Sequence, residues 1–352
     1  MSARPRVALI GCGRIGQVHL RTLIAHPELC EFAALVDANE PALRTIAAGY
    51  RLENISTDPA TIFDDPTIDA VIIASSTETH APYIMATARA GKSAFTEKPI
   101  ALDLESTDVA LAAVAIFGTR LQVGFQRRFD CGYAAARLAI QNGELGAIEM
   151  IRDAMRDPAP PPLAYLERSG GLFRDMTIHN FDCVRWLKGE DPVDVFAIGS
   201  AMTGGDVVAA NDIDTSLVTM RFADGSLASI ENSRRSGFGY DVRTEVFGAA
   251  GAIYVGDSRR TPVRRYDGSG IHEDHQYFFL ERFRDAYEAE MLSFVDAIAS
   301  DTDVLVTGAD GRAALLLAKM AEASRRLSRP VTADDITTET PTDFSPRTVT
   351  HA

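Results

Sequence analysis

Up to residue 125 the chain alternates short apolar runs with stretches of helical period. Val7-Ala-Leu-Ile10, Phe32 to Asp37, Ala70 to Ala74, Ser93 to Phe95 and Leu121 to Gly124 are strand-like, apolar or β-branched runs. Helical segments are predicted between them over 15–26, 41–50, 81–90 and 104–117, the third closed by Gly91 as a C-cap. Continuous apolar strands separated by helices predict a parallel sheet covered on both faces.

After about residue 130 the rhythm changes. A helix over 133–141 leads into an alternating strand over 148–157, then the stiff loop Asp157-Pro-Ala-Pro-Pro-Pro162 and a helix over 175–187. Strands at 193–200, 215–222, 227–234, 242–247 and 252–255 follow, with Ala223-Asp-Gly-Ser226 as a hairpin turn. Strands without intervening helices predict an antiparallel sheet. Helices over 281–300 and 308–326 complete the pattern; Phe283, Tyr287, Phe294 and Ile298 share one apolar face of the first. The expectation is a doubly wound α/β domain over 1–125, an α+β domain over 126–331 and a mobile tail over 332–352, rich in Thr, Asp and Pro with little to bury.

The length of 352 residues agrees with two domains at ~150 residues each. Hydrophobic residues at 46% and charged residues at 24% exclude a mostly disordered chain. A net charge of −14 argues against a nucleic-acid binder, which needs a Lys/Arg surplus against phosphate. Cys12, Cys30, Cys131 and Cys183 lie far apart with no CxxC, which points to free thiols in a reducing compartment. No apolar run approaches the ~20 residues of a membrane helix, and Met1-Ser-Ala-Arg-Pro-Arg-Val7 lacks a secretory pattern, so a soluble cytoplasmic protein with no membrane partner is expected.

Gly11-Cys-Gly13-Arg14-Ile15-Gly16 fits GxGxxG between a strand and a helix. The first glycine permits the tight turn, the second lets backbone approach a pyrophosphate, and the third lets helix and strand pack closely. The helix N-terminus adds unpaired N–H groups and partial positive charge. Asp37 ends the second strand 21 positions after Gly16, where a carboxylate accepts from the adenosine ribose hydroxyls and repels a 2′-phosphate, favouring NAD over NADP. Ser75-Ser-Thr77-Glu-Thr-His80 follows the third strong strand, where ligands gather in such sheets; Thr77 and His80 are open between cofactor contact and helix capping.

Glu97-Lys98-Pro99 places a lysine where the following proline disfavours helix, aiming its ammonium at the interdomain cleft. Asp175 and His179 stand at i,i+4, with Asp182 three further on, so on one helix they share a side. A histidine to exchange a proton, a carboxylate to orient it and a lysine to hold an oxygen are the equipment for oxidising an alcohol against a nicotinamide. The same Asp-x-x-x-His-x-x-Asp set can ligate a divalent metal, or be a satisfied core histidine with a capping aspartate.

Together, Gly11 to Gly16 with Asp37, Glu97-Lys98-Pro99 and Asp175-x-x-x-His179 resemble the Gfo/Idh/MocA oxidoreductases, over residues 5–330. Further stretches carry the likeness towards the inositol 2-dehydrogenases of that family: Val123 to Asp130, Arg156 to Pro160, Ser169 to Asp182, Asn232-Ser-Arg-Arg235 with Gly239-Tyr-Asp241, and Phe278 to Glu290. The resemblance implies an N-terminal Rossmann domain, a C-terminal open-faced and largely antiparallel sheet, NAD in the cleft and a homotetramer built through that sheet. It implies NAD-dependent oxidation of a cyclic polyol, myo-inositol to 2-keto-myo-inositol (scyllo-inosose), with no metal. Lys98, Asp175 and His179 match the catalytic triad, with His179 as general base, Asp175 its orienter and Lys98 holding the reacting oxygen. Arg127, Asp157, Asp182 and Tyr240 match positions near the polyol. Gly11, Gly13, Arg14, Ile15, Gly16, Asp37, Ser75, Thr77, His80, Glu97, Lys98 and Gln126 match cofactor positions. Gln126, Asn180 and Ser236-Gly-Phe238 depart from the usual pattern; none touches the triad and all match positions near the polyol, which bears on the preferred isomer. A related sugar dehydrogenase or keto-sugar reductase shares these residues. A non-catalytic NAD-binding regulator and a metal-dependent hydrolase are the alternatives of other classes, separated by turnover and by insensitivity to chelation.

Overall fold

The computed structural model describes residues 4–256 and 259–337. Its first sheet comprises β1 (Arg6–Ile10), β2 (Glu31–Val36), β3 (Ile55–Ser56), β4 (Ala70–Ile73), β5 (Ser93–Glu97) and β6 (Leu121–Gly124). All pairings are parallel, in the order β3-β2-β1-β4-β5-β6. The helices between them are α1 (Arg14–Ala25), α2 (Glu40–Tyr50), α3 (Ala60–Phe63), α4 (Thr77–Arg89) and α5 (Leu104–Phe117). The apolar runs are two-sided for a reason. Ala8, Ile10, Val71 and Ile73 enter one core, whereas Val7, Leu9, Ala70 and Ile72 enter another on the opposite face. The strand order reverses beside β1 and β4, which opens a crevice at their carboxyl ends.

The second sheet holds β7 (Ile148–Arg156), β8 (Asp194–Ser200), β9 (Thr215–Arg221), β10 (Leu227–Ser233), β11 (Asp241–Gly248) and β12 (Gly251–Val255), ordered β12-β11-β7-β10-β9-β8. It is largely antiparallel, but β7 and β10 run parallel. The excursion between β7 and β8 carries the chain through α7 (Leu163–Leu166) and α8 (Ile178–Lys188). The meander β8-β9-β10 then closes against one side of β7, with the β11-β12 hairpin on the other. The inner face, with Ile151, Val195, Val218, Ile230 and Val242, packs on Tyr133 of α6 (Cys131–Gln141), Val184 and Leu187 of α8, and Leu317 and Ala321 farther along the chain. The outer face shows Ile198, Leu217, Leu227, Phe247 and Tyr254 exposed.

Elements absent from the sequence pattern include the short β3, α3 and α7, the polar hairpin β13 (Arg259–Asp267) with β14 (Gly270–His275), and α9 (Gly205–Ala209). The helix predicted over 281–300 divides into α10 (Phe279–Arg282) and α11 (Arg284–Ala299). Met291, Phe294 and Val295 of α11 pack with Leu9 and Phe95, so the C-terminal segment returns to cover the first sheet. The next helix, α12 (Gly308–Leu327), spans both layers: Ala314 joins a first-sheet core, Leu317 and Ala321 the second-sheet core. Val331, the last residue assigned to the second domain, pairs with Val195; of the tail expected to be mobile, Ala333–Thr337 forms α13, and residues 338–352 lie outside the described residues. Among the described residues, no helix is long and apolar enough to cross a membrane.

Candidate active site

Each glycine of the first turn meets a different surrounding. Gly11 has φ +106°, and a Cβ there would lie 2.4 Å from the Ala74 carbonyl oxygen. A Cβ on Gly16 would lie 2.0 Å from the Gly11 carbonyl oxygen, so this glycine lets α1 press onto β1. Around Gly13 nothing lies within 4 Å of such an atom, so the backbone is open to a large ligand at the start of α1. Asp37 holds the turn from the side: its Oδ2 accepts from the Cys12 N–H at 2.6 Å and its Oδ1 from the Asn39 N–H at 2.7 Å. Burial, with the Asp37 carboxylate beside it, pushes the Cys12 thiol up to about 12. Arg14 stacks over the Phe278 ring at 5.3 Å, and Ile15 is partly buried against two cores. A close-approach glycine turn, a helix N-terminus and a carboxylate at the end of β2 fit a dinucleotide.

Farther along the crevice, Ser75 Oγ lies 2.6 Å from Thr79 Oγ1, and Thr77 opens α4. His80 departs from the expected cofactor contact. Its Nδ1 lies 2.8 Å from the Pro99 carbonyl and its Nε2 3.1 Å from the Ser75 carbonyl, so the ring faces main chain on both sides and its one N–H donates there. The helix begins at Thr77, four residues earlier than predicted, which carries His80 one turn inward. Glu97 likewise turns inward, its Oε1 2.8 Å from His19 Nε2 of α1. Gln126 opens a short 3₁₀ turn, Gln126–Phe129, and is buried with its Oε1 unpartnered.

Lys98 leaves the end of β5 beside a cis bond to Pro99 and crosses the cleft. Its Nζ donates to the Asp175 main-chain carbonyl at 2.6 Å and stands 3.5 Å from Asp175 Oδ1. Asp175 Oδ1 also accepts from the Tyr165 hydroxyl at 2.8 Å, and Oδ2 from Arg234 at 3.0 Å. Burial alone would raise the Asp175 carboxyl, but Lys98 and Arg234 outweigh it and hold it below the usual range.

The helix predicted over 175–187 begins as a π-turn, Phe173–Thr177, and becomes α-helical only at Ile178. Asp175 and His179 therefore sit on unlike turns, and the i,i+4 contact does not form: among the described residues no hydrogen bond joins them. The His179 ring stands edge-on to Phe125 at 6.0 Å, with Nδ1 buried and unpartnered. Burial, then the charges of Lys98 and Arg127, holds it well below the usual histidine range, so it is neutral near pH 7.

Asp182 does not face the cleft. It is buried, and Arg128 takes its two oxygens at 2.9 and 2.5 Å while also reaching Asp310 at 3.0 Å. Arg127 and Tyr240 lie beneath the cleft, each 1% exposed. Arg127 donates to Asp153 Oδ2 at 3.2 Å, and Asp153 also accepts from Asn180 at 2.9 Å and Thr244 at 2.7 Å. Asn180, which departs from the family pattern, is thus part of a buried polar network. Asp157 ends beside β7, where burial, with Asp175 adding, pushes its carboxyl up to about 6 against the pull of Arg234 and Lys98. The carboxylates of the Asp-x-x-x-His-x-x-Asp set are engaged by other side chains, Asp175 by Arg234 and Tyr165, and Asp182 by Arg128. Two site residues carry no assignment from the sequence: Arg234, within the Asn232 to Arg235 stretch, and Tyr165, just after the proline-rich loop.

Residues 5–125 match the oxidoreductase family with an NAD-binding Rossmann fold, and residues 133–254 match the GFO/IDH/MocA C-terminal domain. The chain is 40% identical to a myo-inositol 2-dehydrogenase of Thermotoga maritima over 94% of its length and 99% of that protein's. It is 33% identical to a scyllo-inositol 2-dehydrogenase (NAD(+)) of Bacillus subtilis, covering 95% of this chain and 98% of the relative. Among solved structures, a myo-inositol dehydrogenase of Corynebacterium glutamicum superposes with a TM-score of 0.89 at 35% identity, over 94% of this chain and 99% of the other. A scyllo-inositol dehydrogenase of Lactobacillus casei, with NAD(H) and scyllo-inositol bound, superposes with a TM-score of 0.88 at 28% identity, over 94% and 100%. With both halves of the fold matched and the glycine turn built for a dinucleotide, the chain belongs to the Gfo/Idh/MocA family of NAD-binding oxidoreductases.

Proposed function

We propose that this chain is an NAD-dependent dehydrogenase of a cyclic polyol, oxidising myo-inositol at one ring carbon to 2-keto-myo-inositol. The observation that carries the reading is Lys98, at the carboxyl end of β5, bound to Asp175, with a neutral His179 lying within the field of the same ammonium. Gly11, Gly13, Gly16 and Asp37 hold NAD, with Arg14, Ile15, Ser75 and Thr77 along the same crevice. When bound, NAD supplies the hydride acceptor. His179 takes the hydroxyl proton, because an unprotonated imidazole can accept it. Lys98 donates to the same oxygen and stabilises the charge that develops as that proton leaves. Asp175 fixes Lys98 rather than His179. Asp157 accepts from neighbouring hydroxyls, while Arg127 and Tyr240 support the cleft floor. Asp37 disfavours a 2′-phosphate, so NAD is preferred over NADP.

Relatives acting on scyllo-inositol make that isomer the second candidate substrate. The exposed apolar outer face of the second sheet supports a homotetramer. The unpaired cysteines, Cys131 exposed among them, support a cytoplasmic setting. The test is NADH absorbance with purified protein, NAD and a panel of inositol isomers and aldoses. Turnover of an inositol is expected; NAD binding without turnover of any of them supports a regulator instead.

A further inference from the structure

Arg234 leaves the end of β10 and is 1% exposed. A guanidinium so buried needs compensation. It reaches Asp175 Oδ2 at 3.0 Å and is the foremost charge opposing the rise of the Asp157 carboxyl. Asp157 lies beside it across the strand pair, its N–H donating to the Ser233 carbonyl at 2.9 Å. Among the described residues, no side chain donates to the Asp157 carboxylate. The charges facing Asp157 come from four elements: Lys98 just after β5, Arg127 in the 3₁₀ turn, Asp175 in the π-turn and Arg234 after β10. The Tyr165 and Tyr240 hydroxyls also feel its charge. Asp157 and Asp175 are thus balanced by Lys98 and Arg234, with Arg127 already paired to Asp153.

We propose that Arg234 is a positioning residue of the site: it pins one oxygen of Asp175, leaving the other for Lys98 and Tyr165, and lies alongside Asp157 so that both oxygens of that carboxylate stay available to adjacent hydroxyls of a polyol. A carboxylate with two uncommitted acceptors suits a vicinal diol, since each oxygen takes one hydroxyl hydrogen. Arg234 touches no reacting atom. It acts through the two carboxylates, and without it they face one ammonium and repel. The inference rests on the polyol dehydrogenase reading.

The test is Arg234→Met and Arg234→Lys, with kcat, KM and kcat/KM across pH 5.5–9. Calorimetric binding of myo-inositol to the enzyme–NADH complex is followed over the same range, with thermal unfolding and NAD affinity as controls. With Arg234→Met, KM at pH 7 is expected to rise at least tenfold, more than kcat falls. The acidic limb of kcat/KM moves up by a pH unit or more, inositol binding weakens in parallel, and NAD affinity stays within twofold. Arg234→Lys restores part of the limb, because lysine supplies the charge without the planar fork. A folded Arg234→Met enzyme with wild-type KM and limb overturns the proposal. Should that variant not fold, Asp157→Asn decides: loss of the acidic limb with raised KM supports the role, and an unchanged limb overturns it. Wild-type enzyme that turns over no polyol overturns the function itself, an outcome separate from an unmoved limb in an active enzyme.

Discussion

Replacing Gly13 and Gly16 with alanine, one at a time, separates cofactor binding from folding within one turn. At Gly16 the new methyl would sit 2.0 Å from the Gly11 carbonyl oxygen. Ordinary contact begins well over an ångström farther out, and both neighbours are backbone, so no side chain can rotate away. Forcing such a methyl into packed structure costs ~1–3 kcal/mol, and the main-chain clash places Gly16→Ala at the upper end. At Gly13 the backbone has φ −63° and ψ −175°, open to any residue, and nothing stands within 4 Å of the methyl. Alanine is a poorer N-cap than glycine, but it also has a less flexible unfolded chain. These effects are each ~0.5–1 kcal/mol and of opposite sign, so the unfolding midpoint should barely move. The methyl does occupy the approach of the pyrophosphate. Losing one charge-assisted hydrogen bond costs ~1.5–3 kcal/mol, about ten- to a hundredfold in NAD Kd. Thermal unfolding without NAD and calorimetric titration with NAD read the two effects. If Gly13→Ala destabilised the fold as much as Gly16→Ala, or bound NAD like wild type, the assigned roles would be wrong.

His179→Ala should lower kcat by ~10²–10⁴-fold with NAD affinity unchanged, by steady-state kinetics and titration. His179 also gives folding a pH dependence of known sign. Its folded value lies well below the unfolded ~6.5, so below that pH the unfolded chain takes up a proton that the native fold refuses. Stability is then lost as pH falls, and His179→Gln should flatten that loss in denaturant titrations between pH 7 and 5. Arg127→Ala should cost ~3–5 kcal/mol by denaturant unfolding, because it strands the Asp153 carboxylate, which is 2% exposed. Phe247→Glu on the outer face should reduce the assembled mass in light scattering without changing the fold by circular dichroism; an unchanged mass removes that face from the interface.

Five of the six strands of the first sheet were legible because they are buried and their helices carry plain end signals; the two-residue β3 is too short to show a pattern. Leu104–Phe117 begins after Asp103, whose carboxylate accepts from the Ser106 N–H at 2.7 Å, and ends at Gly118 with φ +64°. The hairpin over 259–275 was not legible, since its strands are exposed and ion pairs such as Arg265 with Asp267 replace an apolar period. Parallel pairing of β7 with β10 depends on where a long excursion returns, which no local pattern encodes. At the site, residue types were legible but directions were not. A π-turn before α8 parts Asp175 from His179, and one extra turn of α4 takes His80 inward. Whether Asp182 meets a substrate or a guanidinium turns on Arg128, 54 residues away in sequence. Arg234 escaped for the same reason: its partner Asp175 lies 59 residues off, and the pair exists only after both sheets are in place.

Hydride transfer from an inositol ring carbon to NAD can be followed directly by isotope transfer. Purified enzyme is incubated with NAD and myo-inositol deuterated at C2, and the mass of the reduced cofactor is measured. One deuterium is expected in each NADH formed, lost in parallel with turnover in His179→Ala. Unlabelled NADH, or none from any inositol isomer, would contradict that transfer.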